Sequence, residues 1–151
     1  MTLPSDTQIL ITRDFDAPRD LVWRAWTEPE LIRRWWSGDK GEVTSIANDL
    51  RVGGVWRWVM RANPGFEVAF HGEYLEIELD ERLVRTEVFE GAPDAGAVST
   101  VSLADAGGRT TVTILVQHSS RQNRDAHLNS GMDSGMQSSL ALLEEVAGSL
   151  R

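Results

Sequence analysis

Between Phe15 and Gly38 the chain reads FDAPRDLVWRAWTEPELIRRWWSG, and this stretch holds four of its six tryptophans. It reads as a strand end, a short helix, a tight joint and a second short helix. Asp16 or Ala17 is placed to cap the first helix, and Pro18 suits an opening turn where no backbone donor is needed. Leu21, Val22, Ala25 and Trp26 recur at helical spacing and form one apolar face. The joint Thr27-Glu28-Pro29-Glu30 has the pattern of a capping box, with Thr27 and Glu30 each satisfying the other's backbone donor. Leu31, Ile32, Trp35 and Trp36 repeat the apolar spacing until Ser37-Gly38 ends the helix. Helices this short are marginal alone, and neither can bury its apolar face unaided. They must close over something larger.

A chain of 151 residues is long enough for one domain with a substantial core, and residues 1–151 are read as one. Apolar residues make up 41% and charged residues 25%, ordinary for a globular protein. No run approaches the roughly 20 apolar residues of a membrane span, so no membrane partner is expected. The opening MTLPSDTQ lacks the basic start and apolar core of a signal peptide. There is no cysteine, which removes disulfides, thiolate nucleophiles and cysteine-ligated metal, and fits a cytoplasmic setting. A net charge of −8 repels polyanions, and the arginines are spread along the chain, so nucleic acid is not an expected partner. The tryptophans are either an aromatic core or a wall around an apolar ligand.

In chain order, residues 1–6 are expected to be frayed. Gln8 to Phe15 is a first strand, followed by the helix pair. Further strands are expected over 42–50, 55–61, 66–79 (bent near Gly72), 83–90, 98–104 and 110–118. Turns fall at Arg51-Val52-Gly53-Gly54, Asn63-Pro64-Gly65, Asp80-Glu81 and Asp105-Ala106-Gly107-Gly108. Within 55–61, Trp56, Trp58 and Met60 face one way, and Arg57 and Arg61 the other. From Ser120 the pattern becomes helical and is expected to run to Leu150, with Met132, Met136, Leu140, Leu143 and Ala147 as its inner stripe. One strand, two helices, six strands and a long helix predict an α+β domain, an antiparallel sheet packed on a terminal helix.

Asp16-Ala17-Pro18, the run W-x-A-W-T-x-P-E from Trp23 to Glu30, and Arg34-Trp35-Trp36 resemble the activator-of-heat-shock-ATPase-like proteins of the SRPBCC group, which includes START and birch-pollen-allergen-like domains. The resemblance continues through DLRVGGVWRWVMR (Asp49 to Arg61), FHGEYLEIELDERLVRTE (Phe70 to Glu87) and SGMDSGMQSSLALLEEV (Ser130 to Val146), and so covers nearly the whole chain. It implies the helix-grip fold, a curved antiparallel sheet of six to seven strands wrapped around the last helix with a cavity between them. A fold alone does not fix an activity.

Candidate ligand-binding groups follow from strand and helix facing. His71 and Glu73 share a strand face. They either meet in an apolar cavity, where a buried Glu has a raised pKa and serves as acid or base, or turn to solvent at the Gly72 bend. Glu87 joins them if it shares the inner face with Phe89; the competing register puts Val84, Thr86 and Val88 inward. His118 continues the Val112-Ile114-Val116 face to the cavity rim, or merely caps the strand end. Trp36, Trp56, Trp58, Met60, Met132 and Met136 complete the candidate wall. Gly131 and Gly135 each cost about 1 kcal/mol in a helix. They reflect either close packing on the sheet or room for a ligand beside the two methionines. A metal site is not expected: His71-x-Glu73 lacks the Pro-Cys-x-x-Cys a deaminase needs, and only His118 and His127 remain. No phosphate loop, dinucleotide fingerprint or nucleophile elbow is present, and no cofactor is expected.

Two functions compete. The first is a binding protein for a hydrophobic small molecule, apolar or aromatic, extending to cyclase- or aromatase-type catalysis with His71 and Glu73 as candidates. The second is a protein-interaction module of the co-chaperone type. Activators of that chaperone carry a separate N-terminal domain, which this chain is expected to lack. The chain is expected to be a monomer or a homodimer.

Overall fold

A computed structural model describes residues 1–63 and 65–151. Along it run β1 (Gln8–Phe15), α1 (Arg19–Thr27), α2 (Pro29–Ile32), β2 (Gly41–Asn48), β3 (Val55–Ala62), β4 (Phe66–Glu78), β5 (Arg82–Phe89), β6 (Ala97–Asp105), β7 (Thr110–His118), α3 (Arg121–Leu128) and α4 (Met132–Ser149). The strands form one antiparallel sheet in the order β1-β7-β6-β5-β4-β3-β2. β1 and β2 follow each other in sequence yet lie at opposite edges. The α1–α2 pair must therefore cross the sheet, and its tryptophans land on the face that α4 also covers. This is the helix-grip arrangement.

Strand alternation decides what that inner face carries. Ile9, Ile11, Phe15, Trp56, Trp58, Tyr74, Leu83, Val101, Leu103, Val112, Ile114 and Val116 are buried in one cluster with Leu140, Leu143, Val146 and Ala147 of α4. The helix pair adds Val22, Trp23, Trp26, Ile32 and Trp35. Indole rings meet tilted or edge-on: Trp26 and Trp35 at 5.5 Å, Trp35 and Trp58 at 6.2 Å, Trp56 and Trp58 at 5.3 Å. Such geometry suits the charge distribution of aromatic rings. Trp35 Nε1 donates to the Ala25 carbonyl (2.7 Å) and Ser139 Oγ to the Trp36 carbonyl (2.8 Å), so the buried joint between the helices keeps its polar groups paired.

Gly72 has a specific task. A Cβ there would overlap the Thr86 carbonyl and come within 2.7 Å of Trp56 Nε1, so its absence lets the indole lie across β4. Trp56 Nε1 then donates to Thr86 O at 3.2 Å.

Several local expectations are corrected. α1 begins at Arg19 with Pro18 as its N-cap, and α2 is a single turn. No capping box forms. Thr27 Oγ1 instead donates back to Trp23 O (2.8 Å), because the backbone at Glu28 is extended and leaves Thr27 inside the first helix. The long terminal helix is two helices, broken at 129–131, where Gly131 has φ +83°. The N-terminus is tied down rather than frayed, with Thr2 pairing to Leu10 and Ser5 O accepting from Arg124 Nη1. The turn expected at Asn63-Pro64-Gly65 includes Pro64, outside the described residues.

Candidate functional site

The break between α3 and α4 shapes the site. α3 is capped by Ser120, whose hydroxyl accepts from Asn123 N at 3.1 Å, and it leans over the end of the inner face that α4 leaves uncovered. Beneath it lies a cavity of about 390 Å³, walled by Val68, Phe70, Phe89, Ala97 and Val116 and by Ala92 and Ala95 of the β5–β6 loop. Asn123, Ala126 and His127 of α3, with Ser130 beyond it, form the roof, and Glu87 and His118 complete the lining. Three small side chains of the lining, Ala92, Ala95 and Ala97, leave the volume unfilled. Phe70 and Phe89 pack at 5.2 Å, and Gly91 accepts the Phe89 ring so closely that a Cβ would come within 2.7 Å of Phe89 Cε2.

The polar centre is a histidine pair. His118 Nε2 and His127 Nδ1 lie 2.9 Å apart, one donating and the other accepting. His118 is only 7% exposed, and its Nδ1 has no partner among the described residues. Burial, then the neighbouring His127 and Arg124, hold His118 at about 4, below the ordinary imidazole range. Burial also lowers His127, partly offset by the Glu87 carboxylate. Both rings are therefore neutral at neutral pH.

Behind Glu87 sits Arg85, 8% exposed. Its guanidinium lies 3.8 Å from the Trp56 ring centre and 4.4 Å from that of Trp58, so the two indoles hold the cation by their π faces. Arg85 Nη2 is 3.9 Å from Glu87 Oε2, while Nη1 is buried with no partner among the described residues. Tyr74 and Trp58 both donate to Asn48 Oδ1 nearby, the second at 3.3 Å, and burial raises the Tyr74 phenol.

The candidates read from sequence divide into four groups. Glu87, Phe89 and His118 line the cavity together, so β5 has the register with Glu87 and Phe89 inward. Trp56 and Trp58 face inward but belong to the packed core, not to the cavity lining; Met132 and Met136 are partly buried against that core. Trp36 is one ring removed, 5.6 Å from Trp58 and 5.8 Å from Phe70, and Met60 is half-buried on β3. His71 and Glu73 are corrected outright, because both are exposed on the opposite face. His71 Nδ1 contacts Glu90 Oε2 at 2.9 Å, beside the Arg57–Glu90 pair at 2.8 Å, and these partners hold the Glu90 carboxyl at about 2. The strand phase explains this: Phe70, Gly72 and Tyr74 take the inner positions of β4, leaving His71 and Glu73 outside.

His127, Asn123, Phe70 and Arg85 were not legible as site residues. His127 sat in what reads as a continuous helix, and only the helix break turns it toward His118. Arg85 shares the inner alternation with Glu87 and Phe89, and that period was the available signal. Gly131 and Gly135 prove not to mark close packing: a Cβ at either meets nothing within 4 Å among the described residues. Among the described residues no cluster of His, Asp and Glu is placed to hold a metal ion, and no helix is long and apolar enough to cross a membrane.

A curved sheet gripping a terminal helix, with a cavity left at one end, defines a helix-grip domain of the SRPBCC type. The family model of activator of Hsp90 ATPase homolog 1-like protein matches residues 16–148, and the chain belongs to that family. A protein from Rhodobacter sphaeroides, 23% identical, superposes with a TM-score of 0.90 over 98% of this chain and 97% of its own. One from Nitrosomonas europaea, 25% identical, gives 0.88 over 97% of each chain. A protein from Aeromonas hydrophila described as AHSA1-like, 23% identical, gives 0.72 over 94% of each. No curated protein matches the chain.

Proposed function

We propose that the chain binds a small, mainly apolar molecule in the cavity beneath α3. The observation that carries this is an unfilled volume of about 390 Å³ with mostly apolar walls and a few convergent polar groups, the pattern of a ligand pocket. Phe70, Phe89 and Val116 supply contact area, and Glu87, His118 and His127 supply orientation. The outward His71 and Glu73 have no part in it.

The test is a screen of hydrophobic compounds read by tryptophan fluorescence, since Trp36 packs on Phe70 of the wall. Ala97→Phe, which fills the cavity from β6, should abolish the binding of any hit, whereas Glu73→Gln should leave it unchanged. Binding that survives Ala97→Phe would place the ligand elsewhere. The chaperone-directed alternative draws on the family description; stimulation of Hsp90 ATPase by the chain, unaltered by Ala97→Phe, would displace the ligand reading.

A further inference from the structure

Two imidazoles joined by one N···N hydrogen bond have coupled protonation. If His118 donates through Nε2, its Nδ1 is a bare acceptor and His127 Nε2 carries the other proton. If His127 donates through Nδ1, the roles of those outer nitrogens exchange. In both cases the pair offers one donor and one acceptor beyond its internal bond. Both rings line the cavity, and His118 Nδ1 is buried without a partner among the described residues. That atom has no surface open to the cavity, so the outer nitrogen a ligand can reach is His127 Nε2, a donor in one arrangement and an acceptor in the other.

Resting on the ligand-binding reading above, we propose that the His118–His127 pair is a recognition element for an uncharged ligand that carries a hydroxyl group on its apolar body. A hydroxyl both donates and accepts, so it matches the pair in either protonation arrangement. The surrounding charges disfavour ions of either sign. Glu87, the charged carboxylate of the lining, repels a carboxylate ligand, and Arg85 behind it, 3.9 Å from that carboxylate, already balances the charge an ammonium ligand would use; the buried Arg124 of α3 lies outside the lining. Arg124 is itself paired with Asp125 at 2.9 Å and donates to Ser5 O, so its charge is largely committed. Burial keeps both histidines neutral, and neither ring adds a charge for an ionic ligand to use.

Four probes of one shape separate the possibilities: 2-naphthol, naphthalene, 2-naphthoate and 2-naphthylmethylammonium, measured by equilibrium dialysis at neutral pH on the full chain. The expected result is 2-naphthol about tenfold tighter than naphthalene, with both ions weaker than naphthalene. His127→Phe keeps a ring in the roof and should reduce the advantage of naphthol over naphthalene to less than about twofold, one hydrogen bond having been removed. The wild-type ratio stands as a test even if that variant does not fold. Equal binding of naphthol and naphthalene overturns the inference and leaves the apolar cavity standing. Tightest binding of naphthoate overturns it in favour of Arg85, and tightest binding of the ammonium in favour of Glu87. Failure of all four removes the ligand reading and this inference with it.

Discussion

Under α4 the inner face of the sheet is filled by indole rings; under α3 the same face stands open around its cavity. Both ends are apolar, so hydrophobicity does not distinguish them. Side-chain volume does. At the filled end Trp56, Trp58 and Leu83 point inward and share one buried cluster with Leu140 and Leu143, all at most 2% exposed. At the open end the inward positions include Ala97, with Ala92 and Ala95 beside it, and the roof helix is RQNRDAHL. Such a helix has one large apolar residue, Leu128, and cannot plug the space below it. A close-packed interior transmits the loss of a single side chain, whereas a wall that already borders a void has less to lose.

The largest effect should therefore come from the filled end. Leu143→Ala is expected to cost about 2–5 kcal/mol by denaturant unfolding, as transfer and cavity terms add. Phe89→Ala, 42% exposed at the cavity mouth, should cost less than half as much. Equal losses would mean that the open end is packed in solution.

Gly72→Ala probes the boundary between the ends, where the Trp56 indole crosses β4. The added methyl must displace either the Thr86 carbonyl or the indole, and overpacking of this kind costs about 1–3 kcal/mol. Because the indole also carries Arg85, near-ultraviolet circular dichroism of the tryptophans should change with it. An unaltered spectrum and stability would show that the backbone yields without moving the ring.

The succession of strands along the chain was legible because each strand has its own period and turn. β7 matches its expected span over Thr110–His118, and the inward set Trp56, Trp58 and Met60 follows from alternation alone. The site was less legible. His71 and Glu73 alternate correctly with each other, but their phase relative to the core depends on Phe70, Gly72 and Tyr74. A glycine at the central inner position erases the apolar mark that would have shown it. His127 required tertiary knowledge of another kind: from sequence the segment after Ser120 is one amphipathic run, and a single left-handed residue, Gly131, redirects the helix. Arg85 was hidden by the usual expectation that arginine faces water; two indole faces replace that water.

Acid should weaken the open end specifically. His118 in the fold titrates at about 4, against about 6.5 when unfolded. Between these values the unfolded chain binds more protons, so this contribution is fully present above about 6.5 and is lost as pH falls through about 4. The slope from one such group is at most about 1.4 kcal/mol per pH unit. His127 and Arg124 add to the cost of protonation that burial imposes. Denaturation midpoints compared between wild type and His118→Gln should diverge over this window, the wild type falling more steeply. Parallel curves would mean that His118 is solvated and its partner bond is not formed.

The smallest effects separate two glycines four residues apart at the junction of the regions. Among the described residues both have open space where a Cβ would stand, so packing predicts the same result for each. Backbone conformation predicts opposite results. Gly135 is already helical, its N–H bonded to Gly131 O at 3.2 Å, and Gly135→Ala should stabilise by about 1 kcal/mol through helix propensity. Gly131 has φ +83°, where a side chain is strained, and Gly131→Ala should destabilise by about 1–2 kcal/mol. A destabilising Gly135→Ala would show that the first turn of α4 unwinds in the native state, which would extend the open region into the helix that bounds the filled one. Stabilisation by Gly131→Ala would show that α3 and α4 form one continuous helix in solution, and the roof over His118 would then have to be built another way.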